Sequence, residues 1–191
     1  MDVNSDNICA FETPQNFYNW LAEHHDSETV LWLKIYKKGS GQQTITWNEA
    51  VIEALCWGWI DSIKKTFDET AYLQRFTPRK KGSVWSKRNR EHVEKLIKEN
   101  RMQEVGMVHV SEAQTDGRWE KAYAPASEMT VPEDFLAALD SRPKAKAFFE
   151  TLNKTNLYAI AYRLTTAKKP ETRQKRFNKF LEMLERGEKL Y

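Results

Sequence analysis

Every segment of this chain with a strand-like pattern lies within the first 78 residues. Residues 29–37 are mostly β-branched, aromatic or apolar, and both faces are apolar at the start, which is typical of a central strand. Residues 59–64 and 72–77 predict two shorter strands that are joined by a polar turn and pair antiparallel. Because no such pattern follows residue 131, the chain can build only a small sheet, and only from its N-terminal part.

Helical patterns fill most of the remaining N-terminal sequence. Thr13 followed by Pro14 predicts a helix start, since proline is favoured at the first helical position. Thr46 and Glu49 form a capping box that predicts a second helix. Ser86 predicts the N-cap of a third helix, and a short fourth helix is expected after it.

The C-terminal part reads as helices alone. Breaks at Pro143, Asn153 and Pro170 separate four predicted helices, at residues 132–139, 144–152, 157–166 and 171–185. The predicted fold class is therefore α+β, a small, mainly antiparallel sheet with packed helices followed by a C-terminal helical subdomain. We expect an α+β domain over residues 1–125 and a helical subdomain over 131–191, with a linker near 124–129.

Composition narrows the class of protein. Aromatic residues reach 12% and include seven tryptophans, whereas disordered chains are poor in large aromatic residues. No apolar run approaches the roughly 18 residues that a membrane span needs. The first residues are acidic and polar, unlike a signal peptide, so the sequence favours a cytoplasmic protein without a membrane span.

Motifs for metals and common cofactors are missing from the sequence. It contains no Cys-x-x-Cys pair, no His-Glu-x-x-His motif, no dinucleotide fingerprint and no phosphate-binding loop. Cys9 and Cys56 are too few for a disulfide framework, and Cys56 lies in an apolar run that predicts an inert core thiol. We therefore expect neither a metal nor a cofactor.

Charge is distributed unevenly along the chain. Residues 1–53 carry three basic and eight acidic side chains, whereas residues 64–90 carry nine basic and two acidic ones. Residues 163–191 carry nine basic and four acidic side chains. These two basic segments would attract phosphates, carboxylates or acidic protein surfaces, or they could simply be solvated. If they formed one face, with Trp85 for stacking, nucleic-acid binding would be the alternative function.

A first candidate cluster surrounds Gly58 and Asp61. Glycine at a helix-to-strand junction allows close approach of a ligand to the backbone. Asp61 lies in an apolar context where a carboxylate needs a partner, and the nearby cations are Arg75, Arg79 and Arg118. The alternative is a structural salt bridge that joins the sheet to its helix.

A second candidate cluster joins Arg79 to the predicted helix start at Ser86. The free amides and positive dipole end of that helix would lie beside Arg79 and Lys87, an arrangement that binds anions. Trp85 could stack on a flat ligand. Alternatively, Ser86 only caps the helix, Trp85 belongs to the core and the cations are solvated.

A third candidate cluster contains Gly117, Arg118 and Trp119. Gly117 is expected to take a positive φ, and Arg118 could bind a carboxylate or phosphate through two hydrogen bonds. A structural stack of Arg118 on Trp119 explains the same residues equally well.

These motifs resemble, in their order and spacing, the YdeI/OmpD-associated family, which is also labelled bacteriocin-protection. The resemblance extends over roughly residues 12–187 and rests on the segments 58–61, 76–79, 85–89, 117–119 and 167–176. Trp57 departs from the smaller aromatic residue expected before Gly58. The resemblance implies a bacterial protein linked to stress or antimicrobial-peptide tolerance, and it implies no catalytic residues.

Together these observations predict a non-enzymatic binding protein. Asp61 could serve as a general base and Ser86 as a nucleophile, but none of the four histidines falls within the motifs, which disfavours an enzyme. The expected partner is a small anionic ligand or an acidic protein segment. The predicted binding residues are Asp61, Arg79, Trp85, Ser86, Asn89, Arg118 and Trp119.

Overall fold

The computed structural model describes residues 3–191. The chain divides into two compact units, the first extending to Lys121 and the second comprising Ala122–Tyr191. The first unit holds all four strands, and the second is built from helices, which confirms the α+β prediction.

The sheet of the first unit has the strand order β1-β2-β4-β3. Its strands are β1 (Ile8–Cys9), β2 (Leu31–Tyr36), β3 (Trp59–Thr66) and β4 (Ala71–Pro78). The β4–β3 pair is antiparallel, as predicted, and the β2–β4 pair is antiparallel too. Strand β2 is central, as its apolar faces indicated. The two-residue β1, which pairs parallel with β2, is too short to leave a sequence pattern.

Four α-helices and a short 3₁₀ helix (Ser5–Asn7) lie in the described part of the first unit, and each predicted N-cap is confirmed. Thr13 accepts a hydrogen bond from the amide of Asn16, and Thr46 and Glu49 bond reciprocally in a capping box. Ser86 accepts a hydrogen bond from the amide of Asn89. The helices are α1 (Pro14–His24), α2 (Trp47–Cys56), α3 (Lys87–Lys98) and α4 (Glu104–Thr115).

The core of the first unit lies between one face of the sheet and helices α1 and α2. Alternation along β2 directs three side chains to this face, and β4 adds an aromatic ring that meets the ring of Phe17 edge-on at 5.6 Å. Each of these side chains is at least 97% buried: Phe17, Leu31, Leu33, Ile35 and Phe76.

Gly58 joins α2 to β3 and has a φ of +70°, which an L side chain rarely adopts. A Cβ atom there would lie 2.8 Å from the His109 ring and 3.2 Å from the carbonyl oxygen of Val105. Gly106 makes a similar approach from α4, since a Cβ on it would overlap the carbonyl oxygen of Cys56. The two glycines therefore set how closely α4 packs against the end of α2.

The second unit is a helical subdomain with its own core. Its helices are α5 (Glu133–Asp140), α6 (Pro143–Glu150), α7 (Lys154–Thr165) and α8 (Pro170–Glu185). Asn156 is 99% buried, and its side-chain oxygen accepts hydrogen bonds from the amides of Leu190 and Tyr191, which anchors the C-terminal residues. Across residues 3–191, no helix combines the length and apolarity that crossing a bilayer requires. The core contains Phe135, Leu139, Ile160, Leu164, Phe180 and Leu184.

Candidate functional site

Arg79, Trp85 and Trp119 form a buried aromatic–cationic stack. The Arg79 guanidinium carbon lies 3.7 Å from the centre of the Trp85 ring, and its Nη2 donates a 2.9 Å hydrogen bond to the carbonyl of Val84. The Trp85 and Trp119 rings meet edge-on at 5.0 Å. All three residues are at least 95% buried. The structure thus brings these predicted residues together, but their rings and head group face one another rather than solvent.

Arg118 is held beside this stack. Its Nε donates hydrogen bonds of 2.8 and 2.7 Å to the two carboxylate oxygens of Asp116, and its Nη1 donates one of 2.7 Å to the carbonyl of Ser83. These bonds fix the loop before Trp85 against the end of α4. The stack of Arg118 on Trp119, the structural alternative for the third cluster, is not among the contacts of the described chain.

Ser86 and Asn89 form the first turn of α3, immediately after the stack. The Ser86 hydroxyl accepts the Asn89 amide at 3.1 Å, so it already satisfies one of the free amides of the helix start. Arg88, on the same turn, donates a 2.6 Å hydrogen bond to the side chain of Asn48 at the start of α2. The cap of α3 thereby places a cation against the first turn of α2.

Asp61 lies half-buried on β3 and accepts a 3.0 Å hydrogen bond from the indole Nε1 of Trp47. Burial raises the pKa of the Asp61 carboxyl, while the Trp47 hydrogen bond and the charge of Arg79 oppose that rise. Of the other predicted partners, Arg75 donates to the hydroxyl of Ser62 and Arg118 is bonded to Asp116. Asp61 is therefore hydrogen-bonded to the first residue of α2, Trp47.

Sequence reasoning missed a cleft beside Trp47, which we call the lysine cleft. It has a volume of about 490 Å³ and opens between the first turn of α2 and the far end of the sheet. Its lining includes three lysines and no carboxylate. The lining residues are Ile35, Tyr36, Lys37, Lys38, Thr44, Ile45, Thr46, Trp47, Lys64, Thr66 and Tyr72.

The lysine side chains of the cleft contact backbone carbonyls and an aromatic ring. Lys64 Nζ lies 4.0 Å from the centre of the Tyr72 ring. Lys37 Nζ donates 3.0 Å hydrogen bonds to the carbonyls of Asp68 and Glu69, which leaves one of its three protons for another acceptor. Arg88 does not line the cleft, but its guanidinium lies 5.5 Å from the centre of the Trp47 ring, which does.

A register shift explains why the sequence did not reveal this cleft. Asp61 pairs with Phe76, and Lys64 pairs with Gln74, although the two β3 residues are three positions apart. Strict alternation would place Asp61 and Lys64 on opposite faces of the sheet, but the bulge between them puts both on the face toward α2. The two adjacent lysines after β2 were the one visible signal.

A second, larger groove of about 770 Å³ runs along α4, and Arg118 lines it. Its apolar part comes from Met107 and Val108, while its charged lining contains Lys81, Arg118 and three carboxylates. The carboxylates belong to Glu104, Glu112 and Asp116. Mixed charge makes this groove a poorer anion site than the lysine cleft. Among residues 3–191, no group of three or more His, Cys, Asp or Glu is placed to hold a metal ion.

The fold and the cleft define an α+β protein with a basic, aromatic-lined cleft in its first unit. Residues 9–109 match the family model described as Domain of unknown function (DUF8412), and the chain belongs to that family. This match contains β2 to α3 and therefore the lysine cleft, Asp61 and Arg79.

The C-terminal region matches a second family model. Residues 128–187 match the model described as Bacteriocin-protection, YdeI or OmpD-Associated, which confirms the resemblance for this region. The segments 58–61, 76–79 and 85–89 fall instead within the first match, and 117–119 lies between the two. Searches of curated proteins and of solved structures gave no match.

Proposed function

We propose that this chain is a non-catalytic binding protein for a small anionic ligand, and that the lysine cleft is its binding site. The observation that carries the proposal is the cleft's charge, because Lys37, Lys38 and Lys64 line it without any carboxylate. Lysines converging on one concavity without acidic partners raise the local positive potential and concentrate anions there. The volume lies within the range of about 300–1,000 Å³ that is common for small-molecule sites.

The start of α2 adds to this potential. Thr46 and Trp47, the N-cap and first residue of α2, both line the cleft. Backbone dipoles place roughly half a positive charge at a helix N-terminus, which favours a bound anion. Glu49 offsets part of this charge through the capping box, but its carboxylate is bonded back to Thr46 and does not line the cleft.

We assign a supporting role to the residues predicted from the sequence motifs. Asp61 holds the indole of Trp47, which forms part of the cleft wall. The buried stack of Arg79 on Trp85 and the Ser86 cap fix the start of α3, from which Arg88 contacts Asn48 and Trp47. Arg118, Trp119 and Asn89 complete that support through the contacts described above.

The C-terminal match supports a biological setting for this binding. The matched family's description names bacteriocin protection. We infer that ligand binding in the first unit serves tolerance of antimicrobial peptides or a related stress response. A deletion strain complemented with the chain, or with a cleft variant, should differ in survival under a bacteriocin.

Calorimetric titration with a panel of anions tests the binding site directly. The panel contains inorganic phosphate, pyrophosphate, citrate, an acidic peptide and a short single-stranded oligonucleotide. At least one anion should bind the intact chain, and Lys38→Gln/Lys64→Gln should weaken that binding by tenfold or more, since charge-assisted hydrogen bonds contribute about 1.5–3 kcal/mol each. A matched control, Lys98→Gln/Lys144→Gln, removes two exposed charges that do not line the cleft.

Three outcomes separate the hypotheses. Equal weakening by both double variants would mean that only net charge matters, and the proposed site would be wrong. Binding of the oligonucleotide alone, with steep salt dependence that persists in Lys38→Gln/Lys64→Gln, would favour the nucleic-acid alternative. Absence of binding to every anion would overturn the proposed function.

A further inference from the structure

We propose that the anion bound in the lysine cleft is carried on a flat aromatic or heteroaromatic ring, as in an aryl phosphate, an aryl carboxylate or a nucleotide. The inference rests on the proposed function, because it specifies the ligand of that same site.

The size and lining of the cleft exceed what an inorganic anion needs. A phosphate or carboxylate occupies a small part of a 490 Å³ cleft. The remaining wall includes three aromatic side chains, Tyr36, Trp47 and Tyr72, each of which is partly exposed. Apolar walls around a few placed polar groups are typical of sites for organic ligands, so the anion should carry an apolar group that covers these walls.

Trp47 can offer a ligand the face of its ring, but no hydrogen-bond donor. Its single donor, the indole Nε1–H, is already used by the Asp61 carboxylate at 3.0 Å. That bond also fixes the ring in one orientation, so little conformational freedom remains to be lost on binding. An indole that is held rigid and has no donor to spare favours a partner that stacks on it.

Tyr72 and Lys64 also favour a ligand that combines an aromatic ring with an anionic group. Lys64 Nζ lies 4.0 Å from the Tyr72 ring centre, so the ring and the cation share one place on the cleft wall. A flat ligand that carries an anion can pair its charge with Lys64 and its ring with the neighbouring aromatic groups. A saturated ring of similar size would keep the charge pairing and lose the stacking.

The anion end of the ligand is set by Lys37 and Lys38. These residues follow β2 and precede a turn in which Gly39 and Gly41 both have positive φ, of +91° and +74°. Both lysines are exposed, but Lys37 is held by hydrogen bonds to two carbonyls, of Asp68 and Glu69. The pair gives one positioned and one adaptable cation near the start of α2.

Three ligands that differ in one property each test the inference on the unmodified chain. Calorimetry with phenyl phosphate, cyclohexyl phosphate and inorganic phosphate separates the contributions of charge, apolar area and aromaticity. Phenyl phosphate should bind roughly 3–10-fold more tightly than cyclohexyl phosphate, the range expected for one aromatic pair beyond its buried area. Inorganic phosphate should bind more weakly than either.

Trp47→Leu then assigns the preference to a residue. This variant should reduce the ratio of phenyl to cyclohexyl affinity toward one, because the Asp61 carboxylate that loses its indole donor acts on both phosphates alike. Circular dichroism reports whether the variant folds. Equal affinities of the two organic phosphates for the intact chain would overturn the inference and leave the proposed function standing. Failure of all three ligands, together with the anion panel above, would overturn the proposed function instead.

Discussion

The indole Nε1 of Trp47 donates a hydrogen bond of 3.0 Å to the carboxylate of Asp61. Trp47 begins α2 and Asp61 lies early in β3, so the bond joins two of the elements that border the lysine cleft. The same aspartate was expected to pair with an arginine, and the charge of Arg79 does lower the pKa of Asp61 against the larger, raising effect of burial.

Replacing Asp61 by asparagine should change how stability depends on pH. Because burial raises the pKa of Asp61 in the folded state, the folded chain binds its proton more tightly than the unfolded chain does. The resulting stabilisation is complete below the ordinary aspartate pKa of 3.8 and is lost as the pH rises through the folded value. From about pH 3 to about pH 7, Asp61→Asn should therefore gain stability relative to the unmodified chain in urea unfolding.

Asp68→Asn is the matched control, and its stability should change with pH in the opposite direction. Hydrogen bonds from Thr70 and Ala71 hold the pKa of the exposed Asp68 carboxyl below its usual value. Its stabilisation is present above the ordinary pKa and is lost as the pH falls through the folded value. Asp68→Asn should therefore lose relative stability as the pH rises, and parallel behaviour of the two variants would contradict the assigned causes.

Arg79→Lys should destabilise the first unit although it keeps the charge. Lysine cannot lay a planar group on the Trp85 ring or reproduce the bond to Val84, so the expected loss is about 1–3 kcal/mol in the free energy of unfolding. Urea unfolding followed by tryptophan fluorescence measures it. The exposed neighbour Lys80, changed to Gln, should alter stability by less than about 0.5 kcal/mol. A neutral Arg79→Lys would mean that the stack contributes little.

Gly58→Ala and Gly41→Ala separate backbone strain from crowding. Both glycines have φ near +70°, but a Cβ on Gly41 meets nothing within 4 Å, whereas one on Gly58 meets His109 and Val105. Gly41→Ala should cost about 1 kcal/mol from strain, and Gly58→Ala about 1–2 kcal/mol more because α4 must move. Thermal unfolding of the two variants gives the comparison. Equal losses of stability would show that α4 moves away from residue 58 without a loss of free energy.

The fold was largely predictable because its signals are local. The capping box at Thr46, the N-caps at Thr13 and Ser86 and the proline breaks at Pro143 and Pro170 each act within one helical turn. What could not be predicted depends on pairing between distant residues. The two-residue β1 exists only because β2 lies beside it, and the bulge between Asp61 and Lys64 is set by their pairing with β4.

In the candidate site too, contacts between residues close in the chain were predictable and contacts between distant residues were not. The sequence correctly grouped Arg79 with Trp85, which are close in the chain, but it could not show that their head group and ring face each other inside the first unit. Lys38 lies in the turn after β2, Trp47 on α2 and Lys64 on β3, and they share no sequence motif. Their proximity requires the strand order, the bulge and the position of α2 together.

The two cysteines should differ sharply in reactivity. Cys56 is fully buried at the end of α2, and burial raises its pKa to about 12, while its thiol bonds the carbonyl of Ile52. Cys9 is half-buried, and its pKa is also raised, chiefly by burial. Because the thiolate is the nucleophile, iodoacetamide near pH 8 should modify Cys9 slowly and leave Cys56 untouched in the folded chain.

Mass spectrometry with Cys9→Ser measures Cys56 alone. The folded variant should remain unmodified over the period in which the original chain gains one adduct, and it should gain one adduct readily in urea. Since a thiol that is inert in the folded state reacts only after opening, its rate reports how often the end of α2 separates from its neighbours. Rapid modification of the folded variant would contradict the burial of Cys56 and, with it, the close approach of α4 at Gly106.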